Sequence, residues 1–276
     1  MNRVRVSTGA ALLLALALAL PASADHSWNN YHWARTTSSF DLQVVDSVTL
    51  EWQFAFDESL SRWGQSSAFD NVAVPGDESS RARKRCQMVA GQMRVCNAAY
   101  GQNGWLGLAS INIDSNGHIT QGTAKTNDSY DWYFAQTPGE DNHVMCQEIG
   151  HVYGLGHTSE DGSSQGTCMD YSTSTSSQWP NQHDYQQLSE IYGHLDSYDS
   201  YDAGGGGGGG GCNAPPGRGC NKHEAPNGGV PAGAIRVHYR PGHDGHLGHA
   251  DYVLPDGNDG IWIFHLTLVP EDALPE

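Results

Sequence analysis

The period of the apolar positions changes once along residues 40–63. Residues 40–45 read as a strand, apolar and polar side chains alternating as far as Val44, and Val48, Trp52, Ala55, Phe56, Leu60 and Trp63 then recur at helical spacing. That second pattern predicts a helix packed on a sheet, capped by Asp46 or Ser47. Residues 105–113 are rich in strand formers, and the turn Ser115, Asn116, Gly117 leads into a returning strand over 118–124. Residues 141–153 read as a helix stopped by Gly154. Tyr185, Leu188, Ile191, Tyr192 and Leu195 repeat at helical spacing and predict a second amphipathic helix ending near Asp196. The expected fold class is α+β, a twisted sheet with helices against it.

Two segments stand outside this pattern. Residues 1–24 carry Arg3 and Arg5, an apolar run over 10–20 and then Pro21, Ala22, Ser23 and Ala24. This is the order of a secretory signal cut after Ala24, and a run of that length covers only about 16 Å of a membrane core of about 30 Å. Eight consecutive glycines at 204–211 have no side chains to bury, so residues 201–211 are expected to be a linker. The chain thus divides into a catalytic body over 25–200 and a small Gly/Pro/His-rich β appendage over 212–276, with strands expected at 234–239 and 261–269. The mature protein is expected to be extracellular, monomeric and without a membrane span.

Composition narrows the function. With 31 acidic against 14 basic side chains and a net charge of −17, the chain lacks the basic face that nucleic acid requires. Residues 126–203 hold thirteen acids and no lysine or arginine, which favours a cation and basic or neutral peptides. Six cysteines allow fifteen pairings. Their spacing favours three neighbouring pairs, Cys86 with Cys96, Cys146 with Cys168, and Cys212 with Cys220. Residues 87–95 read as a hairpin turning at Ala90 and Gly91, which would set Cys86 across from Cys96.

The chemistry lies in residues 146–157. On a helix Gln147 and His151 share a face and Glu148 flanks it. His157, six residues beyond His151, would be rotated by about 240° if the helix continued. A left-handed C-cap at Gly154 ends the helix and returns His157 to the same point. In Glu148, His151, Gly154 and His157, followed by Cys168, Met169, Asp170 and Tyr171, the chain resembles the metzincin clan of zinc metallopeptidases. Their motif is H-E-x-x-H-x-x-G-x-x-H followed by a methionine-containing turn. The likeness covers about residues 28–196, nearest to matrixin-like secreted enzymes, and stops before the glycine run.

The resemblance implies Zn2+ as cofactor, Glu148 as the base that activates a metal-bound water, Met169 as an apolar floor, and Tyr171 as a catalytic hydroxyl or further ligand. It also implies that residues 105–113 form the edge strand along which a peptide or protein substrate is laid. The first histidine of the motif is replaced by Gln147, so the implied metal ligands are Gln147, His151 and His157. Amide oxygen suits Mg, Ca or Mn better than Zn, so a different divalent metal is an open alternative. A Cys146–Cys168 bond would staple the helix to the turn, a loop closure worth roughly 3 kcal/mol. His143 lies too far along the helix from His151 to share an ion. The histidines at 238, 243, 246, 249 and 265 read as polar tail positions. The expected function is that of a secreted zinc-dependent endopeptidase; the alternative is a peptide- or matrix-binding module on the same scaffold without turnover.

Overall fold

The computed structural model describes residues 26–201, 229–257 and 259–274. The signal segment, the glycine run and the Cys212–Cys220 pair lie outside them. In chain order the elements are β1 (His32–Trp33), β2 (Asp41–Ser47), α1 (Gln53–Trp63), β3 (Asp70–Pro75), α2 (Ser80–Arg85), β4 (Met93–Ala98), β5 (Trp105–Ile113), β6 (His118–Asn127), α3 (Asp131–Gln136), α4 (Glu140–Val152), α5 (Gln182–Ile191), β7 (Ile235–Arg240), β8 (Gly248–Pro255) and β9 (Ile261–Leu268).

Nine strands among the described residues form one sheet in the order β3-β2-β4-β6-β5-β9-β8-β7, with β1 beside the start of β6. The pairs β2/β3, β2/β4 and β4/β6 are parallel, and every pair from β6/β5 to β8/β7 is antiparallel. The chain is thus mixed α and β, as the periodicity implies. No helix among the described residues is long and apolar enough to cross a membrane.

Helices α1 and α4 pack together, and α4 lies on β5 and β6. The main core holds Phe56, Trp63, Ile111, Met145, Ile149, Val152, Tyr153, Met169 and Leu188. On the other face Met88, Trp105, Leu108, Trp262, Phe264 and Leu266 form a second cluster. The strand period of two decides this division: Trp262, Phe264 and Leu266 go to the outer cluster, and the alternate positions 263, 265 and 267 face α4.

Four local expectations are corrected. The cap of α1 is Trp52 without a side-chain bond, because Asp46 accepts instead from the Val48 N–H in the preceding loop. The first disulfide-bearing region is no hairpin: Cys86 is the left-handed cap of α2 and bonds Cys96 on β4. Leu195 lies beyond α5 and is exposed. The C-terminal strands, expected as an appendage, continue the main sheet, and β9 covers β5. Residues 105–113 are therefore an internal strand rather than an edge.

Candidate metal centre

Helix α4 carries Gln147, Glu148 and His151, all fully or almost fully buried. It ends as expected: Gly154 adopts φ of +98°, and a Cβ there would stand 1.9 Å from the Tyr31 carbonyl oxygen, so no other residue fits without moving that backbone. The chain then turns, and His157 stands beside His151 with ring centroids 4.6 Å apart. The turn bearing Met169 lies under the helix, its sulfur packed against the Gly150 backbone. The Cys146–Cys168 disulfide joins the two segments.

The third imidazole comes from the tail. His265 on β9 sits opposite Ala109 of β5, with its ring centroid 4.1 Å from that of His151 and 4.7 Å from that of His157. Ligand atoms of His151, His157 and His265 lie within 4.8 Å of one another. His151 Nδ1 is 2.8 Å from the Leu155 carbonyl oxygen, which can only accept, so Nδ1 carries the proton and Nε2 a lone pair. His265 Nδ1 is held 2.7 Å from Asp251 Oδ1. Both Nε2 atoms are buried without a hydrogen-bond partner. A cation between the rings would supply what these nitrogens lack, and the carbonyl and carboxylate behind them are the outer partners that orient metal-binding imidazoles. The Tyr171 hydroxyl is within 2.8 Å of both ring nitrogens of His157. Burial pushes the His151 and His157 rings well below the usual histidine range, which keeps them neutral as ligands must be.

Gln147, expected as a ligand, has its amide engaged elsewhere. Its amide nitrogen donates to the carbonyl oxygens of Cys168 and Asp170, both at 2.9 Å, and its oxygen accepts from the Thr267 hydroxyl at 2.7 Å. An amide suits that position because it offers two donors and one acceptor at once. Gln147 thereby ties α4 to the turn below and to β9.

The Thr267 hydroxyl is also 2.5 Å from Glu148 Oε1. The hydroxyl has one proton to share between the Gln147 and Glu148 oxygens, and a proton on the carboxyl would relieve that competition. Desolvation agrees, raising Glu148 from 4.5 to about 7. Gly107 leaves the space this carboxyl fills: a Cβ there would stand 2.2 Å from Glu148 Oε1. Gly107→Ala is expected to displace the carboxyl while keeping the fold, since the colliding atoms are the far end of a side chain. For the peptidase activity proposed below, turnover should fall by about 100-fold, the cost of a misplacement near 1 Å, with the circular dichroism spectrum unchanged.

Sequence reasoning passed over His265 and Asp251. The available signal was a single imidazole, with Thr267 two positions on, in an otherwise apolar strand of Trp262, Ile263, Phe264, Leu266 and Leu268. Such a strand is buried, and a buried histidine needs partners. No protein-family model and no curated protein matches the chain.

Proposed function

We propose that this chain is a secreted zinc-dependent endopeptidase of metzincin-like build, with His151, His157 and His265 as the metal ligands and Glu148 as the proton carrier. The observation that carries the proposal is the meeting of three imidazoles, two with unpartnered inner nitrogens, beside one buried carboxyl. The glycine-ended helix, the methionine turn beneath it and α5 support the metzincin likeness. The Cys86–Cys96 and Cys146–Cys168 bonds suit an oxidising compartment.

When bound, a zinc ion supplies Lewis acidity toward the scissile carbonyl and makes water acidic enough to deprotonate near neutral pH. The chain's own groups do the rest. Glu148 takes a proton from water and returns it to the leaving amine, and a carboxyl near 7 exchanges protons readily in both directions at neutral pH. Tyr171, held protonated by burial, donates to the oxygen that gains charge. Because β9 fills the edge of β5, a peptide reaches the centre on the side where Trp28 and His157 are half-buried, rather than as a strand added to β5.

The pairing of β9 with β5 also favours a second reading. β9 runs antiparallel to β5, in the place foreseen for a peptide, so this form would be latent and would act once β9 is displaced. The test uses the purified full chain: bound metal is measured, then a mixed peptide library is digested with and without a chelator. Chelator-sensitive cleavage supports the proposal, and cleavage that a chelator leaves unchanged would sink it. A His265→Ala variant that keeps its metal and cleaves faster would select the latent form.

A further inference from the structure

A second group of metal-type side chains lies apart from this centre. His32 on β1, His118 at the start of β6 and Asp196 beyond the end of α5 bring ligand atoms within 4.8 Å of one another. His118 Nε2 is 3.2 Å from Asp196 Oδ1, and His32 Nε2 is 3.5 Å from Oδ2. His194 Nε2 approaches Oδ1 to 3.5 Å, from a side chain that is 54% exposed.

The outer nitrogen of each buried ring is already engaged. His32 Nδ1 is 2.8 Å from the Asn30 carbonyl oxygen, so it carries the proton and Nε2 is a lone pair. His118 Nδ1 is 2.7 Å from the Tyr198 hydroxyl, which in turn donates to Asp114. With the phenol proton on Asp114, His118 Nδ1 must donate, and its Nε2 is a lone pair too. Two lone pairs then face one carboxylate. His32 Nε2 is buried with no hydrogen bond, although His32 is only 7% exposed.

Lone pairs turned on a carboxylate repel it unless a cation stands between. Protonating both rings would set two imidazolium ions side by side, with ring centroids 4.9 Å apart. One divalent ion satisfies all of the groups. Ligands on a tetrahedral zinc ion with bonds of about 2.0–2.1 Å lie about 3.3 Å from one another, and the three imidazoles stand 3.2, 3.5 and 3.5 Å from the Asp196 carboxylate oxygens. The carboxylate is braced as an outer shell would brace it: the Arg35 N–H donates to Asp196 Oδ2 at 2.9 Å, and the Asp196 N–H donates to the Arg35 carbonyl at 2.7 Å.

We infer that His32, His118, His194 and Asp196 form a second, structural zinc site that fastens the N-terminal strand and the chain leaving α5 onto the sheet. With His194 as the fourth ligand no position is left open, so the site is closed in the manner of structural zinc. It ties segments far apart in the chain, and its loading should stabilise the fold through mass action.

The experiment titrates the metal-free full chain with Zn2+ and counts equivalents by elemental analysis. Two equivalents are expected for the natural chain, one for His118→Ala, and one for His151→Ala, which spares this site. The Co2+-loaded His151→Ala variant should show the strong visible absorption of tetrahedral cobalt, and a further Asp196→Asn change should abolish it. If His118→Ala fails to fold, the exposed His194→Ala serves: zinc affinity at this site should fall at least about tenfold, as losing even an outer-shell partner does, with circular dichroism unchanged. Two equivalents retained in His118→Ala, or unaltered affinity in His194→Ala, would overturn the inference. Failure of the centre on α4 would remove the equivalent that depends on His151 and leave this one intact.

Discussion

Metal affinity at the centre on α4 is expected to fall by at least about 100-fold in His265→Ala, and by only a few-fold in Gln147→Ala. The first figure follows because losing an outer-shell partner already costs about 10–100-fold, and a direct ligand costs more. His265 brings an unpartnered Nε2 to the centre and is fixed from behind by Asp251. Gln147 spends its amide on Cys168, Asp170 and Thr267, so its removal should loosen the join between α4 and β9 and lower the melting temperature while sparing affinity. Zinc competition against a chromophoric chelator measures both variants. The reverse order, with Gln147→Ala losing metal and His265→Ala keeping it, would restore the ligand set implied by the motif alone.

Glu148→Gln is expected to cut turnover by about 10²–10⁴-fold, the usual contribution of a positioned general base, with zinc content unchanged. A second readout separates this from simple misfolding. Burial holds the carboxyl at about 7 against an ordinary 4.5. Between those values the folded state binds this proton and the unfolded chain does not, so the group's contribution to stability is complete below pH 4.5 and is lost as pH rises to about 7. Glutamine has no such titration. Metal-free Glu148→Gln should therefore be the more stable protein above pH 7, by up to roughly 3 kcal/mol. Denaturant melts across that range check the sign, and equal pH profiles for the two proteins would show that the buried carboxyl carries no such strain.

Much of the centre was legible because its determinants are local. The spacing of Gln147, Glu148 and His151 is a property of one helix, and a left-handed stop at Gly154 is a property of one residue without a Cβ. The stapling of Cys146 to Cys168 also followed from their places beside the helix and the methionine turn. Expectations failed where local chemistry admitted two answers. Residues 87–95 carry a glycine turn between apolar positions and read as a hairpin, yet residues 86–89 form no strand and β4 pairs instead with β2 and β6.

The amino-acid sequence by itself determined the helix bearing Glu148 and His151, its glycine stop, the return of His157, the strand character of β5 and β9, and the α+β class. These depend on side-chain period and backbone freedom, which act over a few residues. Tertiary structure alone decided that the third imidazole is His265, that Gln147 is a brace, and that β5 has no free edge. Each rests on the pairing of β9 with β5, a contact between segments more than a hundred residues apart. No local period encodes such a contact, because it is selected by the burial of Trp262, Phe264 and Leu266 on one face of the sheet, which delivers His265 and Thr267 to the other.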